Sequence, residues 1–278
     1  MVVYPNAFIL SAAAAGEALS LPRICWQTFT RDAAVIVTVS TETTAGPKDM
    51  PLEPDTAGYW QASAMPATWM IDFGATQAVD YVGIAEHTIG TEGAAVLVET
   101  SMGDTVGSPA VQVWTTLGGN GVSPADDAPL LFLDTVRNAR YMRITLTGAT
   151  PPKLAAIYAG TALVMPMTPQ MGYAPITLNR RTELHSAMSR GGQFLGQGIK
   201  KMGVESSVTF QRLEQDWYRS DFDPFAQSAR QFPYFFCSDA QNYPLEVAYV
   251  WTREDIRPSY ADWDNFTVAW PLEGIGHL

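Results

Sequence analysis

Three segments decide the fold: Trp69-Met70-Ile71-Asp72-Phe73-Gly74, Val79-Asp80-Tyr81-Val82-Gly83-Ile84 and Arg140-Tyr141-Met142-Arg143-Ile144-Thr145-Leu146. In the first, Trp69, Ile71 and Phe73 alternate with Met70 and Asp72; in the third, Met142, Ile144 and Leu146 alternate with Tyr141, Arg143 and Thr145. Successive side chains of a strand point to opposite faces, so a period of two gives each segment one apolar face to bury. Asp72-Phe73-Gly74 reads as a turn signal. Outward from these segments, strand-like runs continue at 34–40, 81–86, 94–100, 111–117, 130–133 and 155–158, separated by Gly, Pro, Asp and Ser clusters. Short strands punctuated in this way predict a β-sandwich or jelly roll. Residues 41–58, rich in Pro, Thr and Gly, read as a long loop, and Gly118-Gly119-Asn120-Gly121 as another turn.

The whole chain has 278 residues, 47% of them hydrophobic, enough for a sizeable core and most naturally for two domains. A boundary falls in the proline-rich stretch Met165-Pro166-Met167-Thr168-Pro169-Gln170-Met171-Gly172-Tyr173-Ala174-Pro175, whose backbone is biased towards extended conformations. The expected division is a sandwich over 1–164, a tether over 165–175 and a smaller α+β domain over 176–278. In that last part 204–213, 245–251 and 265–272 read as strands. One short helix is expected from Asp223 as N-cap, with Pro224 in the first position, to about residue 231, ahead of Pro233.

Net charge is −11, which disfavours a non-specific nucleic-acid binder, since such a protein needs a dominant basic surface. No run of 18 apolar residues predicts a membrane-spanning helix. The apolar run at 8–15 is short and has no basic flank, so no secretory signal is expected. Cys25 and Cys237, one per domain, make neither a disulfide framework nor a metal spacing; they read as buried thiols of a protein made in a reducing cytoplasm. The charge is uneven. Residues 180–201 hold Arg180, Arg181, Arg190, Lys200 and Lys201 against Glu183 alone, while 212–278 hold five basic and eleven acidic side chains. Two readings are open: solvated loops, or complementary faces of a self-assembling subunit that meet head to tail. The second reading puts Arg180, Arg181 or Arg190 against Asp221, Asp223, Asp262 or Asp264 of a neighbouring chain, because arginine grips a carboxylate with two parallel bonds.

The residues offer little to catalysis. There is no G-x-S-x-G elbow, no P-loop and no G-x-G-x-x-G after a strand. The three histidines, His87, His185 and His277, would need distant elements to converge on a metal, and no metal or cofactor is expected. Asp126 with Asp127, Asp221 with Asp223 and Asp262 with Asp264 read as turn formers or solvated charges; a glycosidase pair or, at Asp126 or Asp127, a calcium ligand is the alternative. Among the aromatics, Trp69 belongs to the core by its alternation. Tyr59 and Trp60, beside the long loop, are the candidates for stacking on a sugar ring, with core packing as the other reading.

Two resemblances follow from these segments. The stretches at 69–74, 79–84 and 140–146 together resemble the discoidin-like, galactose-binding-like jelly roll, a β-sandwich that binds sugars, lipids or proteins. Ile157-Tyr158-Ala159-Gly160-Thr161-Ala162-Leu163, Tyr173-Ala174-Pro175, Arg181-Thr182-Glu183, Ser189-Arg190-Gly191-Gly192-Gln193-Phe194-Leu195-Gly196 and Phe232-Pro233-Tyr234-Phe235-Phe236 follow in an order that resembles tail proteins of tailed bacteriophages. The nearest functional analogue is the distal tail or baseplate protein. The resemblance implies a non-catalytic virion protein, assembled in the bacterial cytoplasm as a cyclic homo-oligomer that links the tail tube to hub, fibres and host-recognition parts. It adds a sandwich free to bind a host surface glycan. Arg190-Gly191-Gly192-Gln193 reads as a hairpin whose flanking strands could pair with a neighbouring subunit, or only with each other.

Overall fold

The computed structural model describes residues 19–32, 34–103, 113–122 and 129–275, with the backbone alone at 118–122 and 200–202. Asp126, Asp127, His277, the apolar run at 8–15 and the side chains of Lys200 and Lys201 lie outside the described part. The first part, up to residue 164, contains β1 (Arg23–Cys25), β2 (Ile36–Val39), β3 (Trp60–Gln61), β4 (Ala67–Ile84), β5 (Ala95–Ser101), β6 (Thr115–Val122), β7 (Leu130–Thr147), β8 (Lys153–Leu154), β9 (Ile157–Gly160) and β10 (Leu163–Val164). The second contains β11 (Arg180–Met188), β12 (Phe194–Glu214), α1 (Gln215–Trp217), a π-helical turn (Tyr218–Phe222), α2 (Asp223–Ser228), β13 (Tyr234–Cys237), β14 (Val247–Trp251), β15 (Arg257–Tyr260) and β16 (Asn265–Ile275).

The fold is mainly β, with a sandwich in the first part. Its strands run β2-β4-β7-β5-β6, all antiparallel, with β9 added to β4. The expected strands at 69–73 and 81–86 are one strand, β4, and those at 130–133 and 141–146 are one strand, β7. The pairing slips between Asp72 and Gln77, and Gly74 takes a φ of +76°. The turn signal at 72–74 is therefore a bulge. It bends β4 without ending it, so both halves of the strand contribute to the same core. Trp69, Ile71, Phe73, Val82, Ile84, Met142, Ile144 and Leu146 meet there. Gly118-Gly119-Asn120-Gly121, expected as a turn, lies within β6, where Gly118 pairs with Val98.

The second sheet has eight strands in the order β10-β1-β13-β14-β16-β12-β11, with β15 on β16. Strands β1 and β10 come from the part of the chain before residue 165 and the others from the part after it, so the sheet draws on both. Ile24, Tyr234, Phe236, Ala248, Val250, Val268 and Trp270 pack with Phe222 and Phe225 of the helical stretch. The helix starts eight residues before Asp223, which is not its cap: Phe222 holds that place, inside a continuous helical backbone. Proline lacks an N–H to donate and crowds the preceding turn, and the π-helical turn just ahead of Pro224 accommodates it.

A third core joins the two parts. Tyr81, Leu131, Leu133, Ala156 and Tyr158 of the sandwich pack against Cys25, Phe235, Cys237, Val247 and Tyr249 of the second sheet. The segments of β4, β7 and β9 in this middle layer are buried on both faces, which is why they read as unbroken apolar runs. Gly83 makes the close approach possible: a Cβ there would stand 2.5 Å from a Phe235 ring carbon. Polar contacts latch the junction. The Tyr249 hydroxyl donates to the Pro54 carbonyl at 2.7 Å, and the Arg31 guanidinium lies over the rings of Tyr158 (4.4 Å) and Phe232 (4.9 Å). The proline-rich stretch at 165–175 is bound along its path. Met165 N–H donates to the Pro22 carbonyl, Gln170 N–H to that of Thr209, and the Ser206 hydroxyl to that of Ala174.

Candidate interaction surface

Strand β11 and the first part of β12 are exposed along nearly their whole described length. From Gly203, which pairs with the last described residue of β16, Ile275, β11 and β12 continue among the described residues as a two-stranded ribbon to the turn at 189–193. The turn closes through Ser189 N–H to the Gln193 carbonyl (2.8 Å) and Gly192 N–H to the Ser189 carbonyl (2.9 Å). Gly192 sits at φ +80°, a conformation that a residue with a Cβ seldom adopts. The sequence-predicted hairpin is therefore present, and none of the described residues covers it. Directly opposed residues of an antiparallel pair share a face. Leu184 opposes Ile199 and Met188 opposes Phe194, and strand alternation puts Leu184 and Met188 on the same side. Their exposures are 55%, 52%, 66% and 66% for Leu184, Ile199, Met188 and Phe194. The ribbon thus has one face with two apolar pairs on either side of the polar pair Ser186–Gln197, while on the other His185 opposes Gly198 and Ala187 opposes Gly196. Strand β11 is also the last in its sheet among the described residues, so its outer edge offers backbone groups that no described strand pairs with.

The predicted interface residues separate into two groups. Arg180 and Arg190 are exposed, and among the described residues neither forms an ion pair. Arg181 is already committed within its own chain: its Nη1 lies 3.1 Å from Glu205 and 3.0 Å from Glu273. Glu273, nearly buried, also binds Arg253 Nη2 at 2.6 Å, and these groups line a cavity of about 510 Å³ with Trp251. The four predicted acidic partners do not form one patch along the chain. Asp221 and Asp223 belong to the helical stretch, where they accept from Ser220 and Gln227 respectively. Asp262 and Asp264 stand in the turn between β15 and β16. The Asn265 amide and the Asp264 N–H hold the Asp262 carboxyl below its usual range.

In the sandwich, Trp60 is fully buried, with its indole N–H on the Thr41 carbonyl at 3.3 Å. Its ring belongs to the core and has no free face for a sugar. Tyr59 is half-buried, with Lys153 Nζ 4.4 Å from the ring centre. Buried His87 accepts from Ile89 N–H, and His185 is exposed on the ribbon. No three metal-binding side chains come together among the described residues. Cys25 and Cys237 are buried, unpaired thiols; burial is the main cause that raises both, Cys237 to about 12. Two features escaped the sequence reading. One is the ribbon face with Leu184 and Met188, four residues apart and so on one side of a strand, with Ser186 between them. The other is Trp263, 94% exposed between Asp262 and Asp264, with the exposed Tyr260 close by.

No family model matches the sequence, and no curated protein matches it. Solved structures match about half of the chain. One is a GH29 fucosidase of Ruminococcus gnavus in complex with fucose, at 18% identity over 49% of this chain and 27% of that chain, with a TM-score of 0.39. Another is chitosan-binding module 1 from a chitosanase/glucanase of Paenibacillus sp. IK-5, at 14% identity over 49% of this chain and 99% of the module, with a TM-score of 0.39. A third is CpGH89CBM32-4 of Clostridium perfringens, in complex with GlcNAc-alpha-1,4-galactose, at 17% identity over 48% of this chain and 92% of that one, with a TM-score of 0.38. At these values the likeness is to the fold of part of the chain and assigns it no ligand.

Proposed function

We propose that this chain is a non-catalytic structural subunit of a phage tail tip or baseplate, assembling with copies of itself into a ring. The uncovered β11–β12 ribbon carries the reading. Residues 180–201 bear a net charge of +4, which leaves −15 on the rest of a chain whose total is −11. A basic, half-apolar ribbon attached to an acidic body is suited to another copy of that body. The free edge of β11 adds backbone groups that a partner strand can pair with. The order of motifs supplies the phage-tail setting, with tube, hub and fibre proteins as neighbours.

The test is oligomeric mass. Light scattering coupled to size exclusion should give a mass several times the 30.3 kDa of one chain. Excising 184–199 and rejoining the strands with a short turn should leave a folded monomer. A wild-type chain that stays monomeric, or a ribbonless chain that assembles normally, refutes the proposal.

A second reading is glycan recognition by the sandwich, in keeping with the names of the chitosan-binding and CBM32 modules it resembles in fold. Here the favouring observation is Tyr59, whose ring is partly open to solvent with a lysine over it. An aromatic face beside a hydrogen-bond donor is the equipment of a sugar site. The two readings are compatible, since a ring subunit can display its sandwich outward.

A further inference from the structure

Trp263 is the most exposed large aromatic of the second sheet, and the turn that carries it is held firmly. Ala261 N–H donates to the Asn265 carbonyl at 2.9 Å, Asp264 N–H and the Asn265 amide both donate to Asp262 Oδ1, and Gln215 N–H donates to the Asp264 carbonyl at 3.1 Å. The Gln215 side-chain amide donates to the Trp263 carbonyl itself. Tyr260, 69% exposed, stands beside it, and a shallow depression of about 540 Å³ opens between Tyr260, Trp263, Asp262 and Gln215. A turn fixed by this many bonds, yet presenting a bare indole, is preorganised for a contact that the described residues do not make. Tryptophan and arginine are the side chains that most often dominate the binding energy of an interface.

The topology separates this turn from the ribbon end. Strand β12 begins at the ribbon turn with Phe194 and ends at Glu214, which pairs with Asn265 next to Trp263. Its 21 residues span at most about 65 Å at a strand's rise per residue, with bulges along the way, and put the two features at opposite ends of the strand. One chain cannot bring its own ribbon end to its own Trp263 turn, whereas two chains placed head to tail along this direction can. The charges agree. Arg190 is exposed at the ribbon end with no ion pair among the described residues, and Asp262 and Asp264 flank the indole.

We infer that the Tyr260–Asp264 turn is the seat for the ribbon end of a second copy, with that copy's Arg190 held between the Trp263 indole and the carboxylates of Asp262 and Asp264. The inference rests on the assembly reading and names its second surface. A cation over an indole face and an arginine fork on a carboxylate are compatible in one site. Two different patches in contact make a heterologous interface, which closes into a ring or grows into a filament.

The test uses full-length chains in sedimentation velocity. Trp263→Ala and Arg190→Glu should each weaken assembly by about 30-fold or more, the loss that marks a dominant interface residue. Both positions are exposed, so unfolding midpoints should match wild type, and Asp264→Lys gives a second variant of the seat. The decisive measurement is a mixture. Trp263→Ala chains keep a good ribbon and Arg190→Glu chains keep a good seat, so together they should form heterodimers and stop there. Normal assembly by both Trp263→Ala and Asp264→Lys, or a mixture that stays monomeric, overturns the inference. If the seat variants assemble normally but excision of the ribbon abolishes assembly, the assembly reading stands and only the seat is wrong. A monomeric wild type overturns both.

Discussion

Gly83→Ala tests how tightly the sandwich is bound to the second sheet. A Cβ at this position would stand 2.5, 2.7 and 2.8 Å from three carbons of the Phe235 ring, all closer than carbon atoms tolerate. The ring cannot swing away freely. It is fully buried, with Tyr158 edge-on at 5.5 Å and Tyr249 at 4.9 Å between centroids. Relief requires the third core to open by a fraction of an ångström or Phe235 to leave its rotamer. Overpacking of this kind costs about 1–3 kcal/mol. Phe235→Ala alone should cost ~3–5 kcal/mol through the cavity it leaves. In the double variant the new methyl enters that cavity, so the two losses should not add; a coupling of about 1–3 kcal/mol is expected. Urea unfolding of the four proteins, followed by tryptophan fluorescence, measures the cycle. Should Gly83→Ala unfold at the wild-type midpoint, or should the losses add within a few tenths of a kcal/mol, the junction is looser than described.

Trp60→Ala should destabilise the fold by about 3–5 kcal/mol, because it empties a fully buried site. Tyr59→Ala should leave stability within about 0.5 kcal/mol and weaken any glycan binding, so unfolding curves and glycan titrations of the two variants separate core from site. Both thiols should resist alkylation in the native protein at pH 8 and react once it is denatured; modification at equal rates in both states would contradict their burial. Because Cys237 is pushed up to about 12 when folded, against about 8.5 for a free thiol, its contribution to stability is complete below pH ~8.5 and is lost as pH rises towards 12. Cys25 shifts in the same direction, so the unfolding midpoint should fall between pH 8 and pH 10; the buried tyrosines Tyr81, Tyr158 and Tyr249, also raised but from about 10, add to the loss only above pH 10.

The sandwich was legible where one face is buried and the other is not. Trp69, Ile71 and Phe73 alternate because the intervening residues reach outward. The doubly buried runs at 81–84 and 130–133 announced strands but not the second layer they serve, since an apolar run does not say what lies on either side of it. Strand continuity was lost at Gly74, because a bulge and a turn use the same residue types. The ribbon turn was readable from Gly191-Gly192; its apolar face was not, because Leu184 and Met188 look like core residues until their surroundings are known. Trp263 stayed hidden for the opposite reason: its aspartate neighbours suggested a solvated turn.

The pairing of β1 with β13 joins residues about 210 positions apart, Ile24 against Phe236 and Cys25 against Phe235. On a ribosome the N-terminal strand emerges long before its neighbour exists. Until residues 234–237 are made, β1 has only the two-residue β10 to pair with, and the sandwich face that carries Tyr81 and Tyr158 lacks Phe235, Cys237, Val247 and Tyr249 to cover it. Contacts this distant in sequence slow the search for the native state. Synthesis therefore passes through a stage in which a finished sandwich exposes one greasy wall, the species for a chaperone to hold, and release from that stage waits on the last fifth of the chain.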